Sequence, residues 1–300
     1  MKHILRRKTH NRNFPDIFEA KMADHAQPHE RQKAKMLDLR IDGTEVSLAL
    51  AHRKGPSAPV LFLHGFGSTK EDYFDFLLKD VFAKHAFIAY DAPGCGQSTC
   101  SDPLRLLIPF LVSTAEDVLD LLGAEKFHLV GHSMGALTAL ELAHKHPKRV
   151  LSFVNIKGNL APEDCFLSRQ IFDYPASDDE AFFKDFIERT AQAPFYGSAM
   201  YALSLRLKSQ PTSVRPIFTS MVDLSDNGNL LNRFLALPCP KIFMYGEQYN
   251  TLSYLPTLKA DGIWMAEISE SGHFPMYSNP PSMWMHIEVA LALGERAQEL

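Results

Sequence analysis

Phe127-His128-Leu129-Val130-Gly131-His132-Ser133-Met134-Gly135-Ala136-Leu137 is the stretch from which the rest of the chain can be read. Its first four residues form a short apolar run of the kind that makes a strand buried on both faces. From Met134 to His144 the spacing of apolar residues turns helical. Between the two lies Gly131-His132-Ser133-Met134-Gly135, a G-x-S-x-G pattern. A serine there sits on a sharp strand-to-helix turn at the carboxyl edge of a sheet. The flanking glycines let the backbone make that turn without Cβ clashes. A bare G-x-S-x-G is common by chance; the strand before it and the helix after it make Ser133 a candidate nucleophile.

Working outward, the same alternation recurs. Met36–Ile41 and Glu45–Ala51 alternate around Asp42-Gly43-Thr44 and predict a hairpin. Val60–Leu63, Phe87–Tyr90 and Leu151–Ile156 are further buried-strand runs, with helical spacing over Ser113–Leu122 between two of them. Strands alternating with helices predict right-handed βαβ units and a parallel sheet. From about Asn159 to Leu237 the strand signal stops, and aromatic-rich helical segments such as Asp178–Gln192 and Ala199–Leu207 take over. Strand and helix return at Lys241–Tyr245, Ile263–Ile268 and Met283–Leu293. The reading is an α/β chain with a polar N-terminal arm over residues 1–35. A doubly wound, mostly parallel core follows over 36–158 and 238–300, with a helical cap over 159–237 inserted after the sixth strand.

Composition narrows the function. With 300 residues, 46% hydrophobic, 22% charged and a formal charge of −4, the chain has the make-up of an ordinary globular protein. It lacks the basic footprint of a nucleic-acid binder. No apolar stretch approaches the roughly 18 residues of a membrane span. The N-terminal MKHILRRKTHNRNFPDIFEA is basic without an apolar run after its charges, which reads against a secretory signal. Cys95, Cys100, Cys165 and Cys239 form no CxxC pair and have no His partner at metal spacing. They read as reduced thiols of a cytoplasmic protein with no metal and no cofactor. No pattern specifies an oligomeric state.

Two further motifs supply what a nucleophilic serine needs. His64-Gly65-Phe66-Gly67 follows the strand Val60–Leu63. Acyl transfer requires backbone N–H groups aimed at a developing oxyanion, and here they would come from Phe66 and Met134. Ser271-Gly272-His273-Phe274-Pro275 stands after the last strand and before the last helix. His273 therefore follows Ser133 in chain order at the correct sheet edge, as a general base should. His132 would point away from the nucleophile, and His64 would shape the oxyanion loop.

The motifs LFLHGFGSTKEDY, YDAPGCGQS, LVGHSMGALTAL and SGHFPMYSNPP together resemble the α/β-hydrolase superfamily, in particular its capped esterase and C–C hydrolase-like branch. The resemblance covers roughly residues 36–300. It implies the α/β-hydrolase fold, with Asp91 as a structural residue whose loop helps hold the oxyanion turn. It also implies a third triad group after the seventh strand, in a Tyr-Gly-x-x-Asp pattern, or at the end of the sixth. This chain has Tyr245-Gly246-Glu247-Gln248-Tyr249-Asn250 at the first seat and Lys157 at the second. Asn250, by position, is the candidate to orient His273; Glu247, Glu163 and Asp164 are the alternatives. A Lys157 charge near the site would oppose protonation of His273.

Phe166, Phe172, Tyr174, Phe182, Phe183, Phe186, Phe195, Tyr196 and Tyr201 crowd the cap span. Taken one at a time they read as the cap's own core; together they predict an apolar roof over Ser133. The expected activity is hydrolysis of a small to medium hydrophobic acyl or aryl ester, thioester or lactone through an acyl-serine. Hydrolysis of a C–C bond in a vinylogous diketone and cofactor-free haloperoxidase side chemistry would use the same residues. The missing acid opens a reading from another class, a non-catalytic ligand binder.

Overall fold

A computed structural model describes residues 35–298 except Ala176. In chain order these residues form β1 (Lys35–Ile41), β2 (Thr44–Arg53), β3 (Ser57–Leu63), the single turn α1 (Asp75–Leu78), β4 (His85–Tyr90) and the two-residue β5 (Thr99–Cys100). Then come α2 (Ile108–Leu121), β6 (Phe127–His132), α3 (Met134–Lys145) and β7 (Val150–Ile156). Four helices follow: α4 (Asp179–Gln192), α5 (Ser198–Lys208), α6 (Pro211–Asn227) and α7 (Leu230–Leu235). The chain closes with β8 (Lys241–Gly246), α8 (Leu255–Ala260), β9 (Trp264–Ile268), α9 (Pro275–Ser278) and α10 (Pro280–Arg296). Residues 1–34 of the expected arm lie outside the described residues.

The strands form one sheet in the order β1-β2-β4-β3-β6-β7-β8-β9, with β5 pairing on β2. The first hairpin closes with Ile41 opposite Thr44. Asp42 (φ +47°) and Gly43 (φ +83°) both take the left-handed conformation that a two-residue loop of this twist requires. β2 is antiparallel to its neighbours, and β3, β4 and β6 to β9 are parallel. Every residue of β4, β6 and β7 is buried, which explains their unbroken apolar runs. The sequence reading missed β5, a two-residue edge strand too short to show periodicity.

Helix α2 shows how locally the sequence specifies its ends. Ile108, Leu111, Val112, Ala115, Val118 and Leu119 recur at helical spacing and are buried. Gly123 (φ +68°) stops the helix: its N–H donates to Asp120 O at 3.1 Å, and Ala124 N–H donates to Leu119 O at 2.9 Å. This paired closure satisfies carbonyls that a helix end leaves open.

The sheet order reverses at β3, with β4 on one side and β6 on the other. Ligands of open α/β sheets bind outside the carboxyl ends of the strands at such a point. Leu63, the last residue of β3, pairs with Gly131 of β6, so the loop after β3 and Ser133 emerge side by side.

Between β7 and β8 the described residues hold α4 to α7 and short single turns, with no strand of the sheet. Phe182, Phe186 and Phe218 pack together there, with ring centroids 5.6 Å (Phe182–Phe186) and 5.7 Å (Phe186–Phe218) apart. Phe218 also meets Phe66 at 4.9 Å, joining these helices to the loop after β3. Gly67 (φ +80°) lies so close to α5 that a Cβ would fall 2.6 Å from Leu205 and 2.8 Å from Tyr201. Only glycine fits this contact. No helix among the described residues is long and apolar enough to cross a membrane.

Candidate active site

Ser133 has φ +52° and ψ −118° between β6 and α3. A non-glycine residue held in that region costs on the order of 1–3 kcal/mol, which the surrounding packing must sustain. Two contacts sustain it. Ser133 N–H donates to Ile156 O of β7 at 3.0 Å. Gly135 brings α3 so near β3 that a Cβ there would lie 2.1 Å from Leu63 O. The Ser133 side chain is half-buried, and among the described residues its Oγ hydrogen-bonds to no protein group.

Phe66 lies in the turn after β3, and Met134 is the first residue of α3. Among the described residues neither amide enters a turn or loop hydrogen bond, and a first-turn helical N–H has no partner within its helix. The turn is fixed from behind. His64 Nδ1 donates to Gly65 O at 2.8 Å, while its Nε2 accepts from Ala92 N–H at 2.8 Å, which sets the neutral tautomer. Asp91, fully buried, accepts from Lys70 Nζ, Lys70 N–H and Gln97 N–H, each at 3.0 Å. Lys70, just beyond the turn, was not singled out from the sequence, yet it is the cation that balances Asp91.

His273 follows β9 and sits against the residue next to the nucleophile. His132 Nε2 donates to His273 O at 2.8 Å, and the two rings lie 4.9 Å apart. Burial first, then His132 and Lys157, hold the His273 imidazole well below its ordinary pKa. Burial likewise lowers His132 to about 4. His273 Nδ1 is buried and has no hydrogen-bond partner among the described residues. Nor does the ring hydrogen-bond to Ser133.

The expectation that Asn250 orients His273 is therefore not met. Asn250 is exposed and lines a separate surface groove with Lys259 and Met265, because the turn after β8 carries it outward. Glu247 is half-buried and makes no side-chain hydrogen bond among the described residues; Glu163 accepts from Ser253 N–H and Oγ. Asp164 does fold back into the interior, but onto Lys157. It also accepts from Tyr254 Oη at 2.9 Å, Leu160 N–H at 2.8 Å and Ala161 N–H at 3.0 Å. Lys157 (φ +44°) directly follows β7, level with Ser133, and its ammonium lies 4.9 Å from the centre of the Tyr249 ring. That ring is in turn 5.9 Å from the His273 ring. Tyr249 thus packs against both the cation and the imidazole, a role no sequence signal marks.

A cavity of about 220 Å³ opens beside His273, with walls from the helices between β7 and β8. Phe186, Tyr201 and Phe274 form its buried side; Phe166, Phe195 and Tyr196 stand exposed at its rim. Phe182 and Phe183 are buried away from it in the packing of α4, and Phe172 is exposed. Ser133 is not itself in the wall. No group of three or more His, Cys, Asp or Glu among the described residues is arranged to hold a metal ion.

A family model described as the alpha/beta hydrolase fold matches residues 58–287. The chain belongs to the α/β-hydrolase family. A Mycoplasma genitalium protein that carries the name esterase/lipase 1 is 24% identical over 247 residues, 74% of this chain and 86% of that one. A 2-hydroxy-6-oxononadienedioate/2-hydroxy-6-oxononatrienedioate hydrolase of Paraburkholderia phymatum is 29% identical over 140 residues, 46% of this chain and 49% of the relative. The dihydrolipoyllysine-residue acetyltransferase component of an acetoin cleaving system from Cupriavidus necator is 40% identical over 116 residues, 37% of this chain but only 29% of that protein. Among solved structures, a thermophilic esterase from Thermogutta terrifontis superposes with a TM-score of 0.67 at 20% identity, covering 87% of this chain and 99% of that one. Likeness at that identity speaks for the fold alone. Apart from the Mycoplasma protein, these curated relatives are spanned by the chain over less than half of their own length.

Proposed function

We propose that the protein is a serine hydrolase that cleaves a small to medium hydrophobic ester, thioester or lactone through an acyl-Ser133 intermediate. The observation that carries this reading is the backbone of Ser133: a strained, positive-φ serine between a buried strand and a helix, with unbonded amides of Phe66 and Met134 nearby. Ser133 Oγ attacks the acyl carbon while His273 accepts its proton. The Phe66 and Met134 amides stabilise the oxyanion, and protonation of the leaving group by His273 releases it. Water, activated by the same histidine, then frees the acid and restores Ser133. The largely apolar cavity beside His273 supports a hydrophobic acyl or aryl group.

One observation favours a second reading, a ligand binder without turnover. His273 Nδ1 has no acceptor among the described residues, and a cation, Lys157, stands at one of the two seats where the resemblance implies an acid. A fluorophosphonate probe separates the two. Rapid modification of Ser133 in the wild type, absent in Ser133→Ala, supports the hydrolase; an inert Ser133 together with no ester turnover supports the binder.

A further inference from the structure

Arg189, on α4, is the one cationic side chain in the wall of the cavity beside His273 among the described residues. Two other arginines in this part of the chain are neutralised by carboxylates. Arg169 pairs with Asp226, and Arg215 pairs with Asp179. Among the described residues Arg189 has no such partner. Its Nη1 donates to Tyr174 Oη at 3.1 Å and its Nη2 to Gln170 Oε1 at 3.0 Å, both neutral acceptors. The nearest carboxylate in this chain of contacts, Asp185, is satisfied instead by the Tyr174 hydroxyl at 2.8 Å. Two of the five guanidinium N–H groups are thus used to fix the side chain, leaving the rest free. An exposed planar guanidinium held by neutral groups, at the edge of a largely apolar hollow, is a ready partner for one carboxylate.

We propose that this cavity takes an acyl chain ending in a carboxylate, with the apolar walls holding the methylene chain and Arg189 the distal anion. The substrate class is then a half-ester or half-thioester of a dicarboxylic acid. This rests on the hydrolase reading above and specifies its substrate. Tyr174 and Gln170 are positioning residues, since they act by holding the guanidinium.

The test compares kcat/KM for p-nitrophenyl butyrate, hexanoate and decanoate with mono-p-nitrophenyl succinate, adipate and sebacate. For at least one chain length the wild type should prefer the carboxylate-ended ester by about tenfold, the yield of ~1.4 kcal/mol of charge-assisted hydrogen bonding. Arg189→Met should erase that ratio, and Arg189→Lys should keep part of it. The ratio is independent of how much of a variant folds. No preference at any length in the wild type, or the same preference in Arg189→Met, overturns the proposal. If Ser133 proves inert and no ester is cleaved, the hydrolase reading fails alone. The affinities of adipic acid monoamide and hexanamide, measured by calorimetry, then decide. Tighter binding of the acid by the wild type but not by Arg189→Met sustains the anion site, and equal affinities overturn it.

Discussion

The loops after β3 and β7 flank the same serine, yet the first is braced by a buried carboxylate after β4 that a cation balances, and the second carries a cation that a carboxylate balances. On the β3 side, Asp91 is clamped by Lys70 and two backbone amides, and His64 is bonded at both nitrogens. Every polar group named there has a partner, and the turn carrying Phe66 is fixed. On the β7 side, Lys157 and Asp164 satisfy each other, while His273 Nδ1 is left with nothing. The first loop is built for rigidity. The second trades the imidazole's hydrogen-bond acceptor for aromatic packing against Tyr249, with a positive charge behind it. A neutral His273 is thereby favoured over imidazolium, the form needed as Ser133 attacks.

The sharpest way to break this comparison is to remove the serine they share. Ser133→Ala should lower kcat on a cleavable p-nitrophenyl ester by at least ~10⁴-fold, with little change in Tm, because the hydroxyl bonds to no protein group. Retained turnover in purified variant would show that neither flank serves a Ser133 nucleophile. Next comes the rigid flank. Lys70→Met leaves Asp91 buried without its cation and should cost about 3–5 kcal/mol in denaturant unfolding. A loss under about 1 kcal/mol would mean the loop after β3 does not depend on this pair.

The β7 side predicts a gain. A lone Lys157→Glu would set two carboxylates against each other beside Tyr254. Lys157→Glu with Asp164→Asn avoids this and should raise kcat about tenfold, part of the roughly 10⁴ that a correct third group can contribute. An unchanged kcat in a folded double variant would mean that His273 does not lack a carboxylate. The charge alone is tested by Lys157→Met with Asp164→Asn. Removing a cation that depresses His273 should move the acid limb of the kcat/KM profile upward, towards the ordinary histidine range; an unmoved limb counts against the electrostatic account.

The smallest effect lies away from both loops and keeps acid inactivation distinct from acid unfolding. Burial lowers His128 on β6 to about 4 from an ordinary 6.5. The unfolded chain therefore binds its proton first as pH falls from about 6.5. Stability should drop through that window and level off below about 4. His128→Gln should flatten the dependence of Tm on pH between those values. An identical slope would assign the loss to other buried histidines such as His132.

Much of this molecule was legible along the chain because the forces concerned act locally. Apolar runs announced β3, β4, β6 and β7, since strands buried on both faces have no room for polar residues. Asp42-Gly43 announced the hairpin, and Gly131 and Gly135 announced the turn at Ser133, through backbone conformations and close approaches few residues allow. The loss of the acid at Lys157 and after Tyr245 was also visible in the letters themselves. Where Asp164 would go was not: it lies seven positions from Lys157 on an irregular loop, where no periodicity links sequence to direction. Asn250 had the right position in sequence but the turn after β8 points it outward. Tyr249 between Lys157 and His273, Lys70 under Asp91 and the unpaired Arg189 on α4 were decided only by tertiary packing. Long-range charge pairing depends on which side chains the fold buries together, and that information resides in the assembled sheet and helices rather than in any local window.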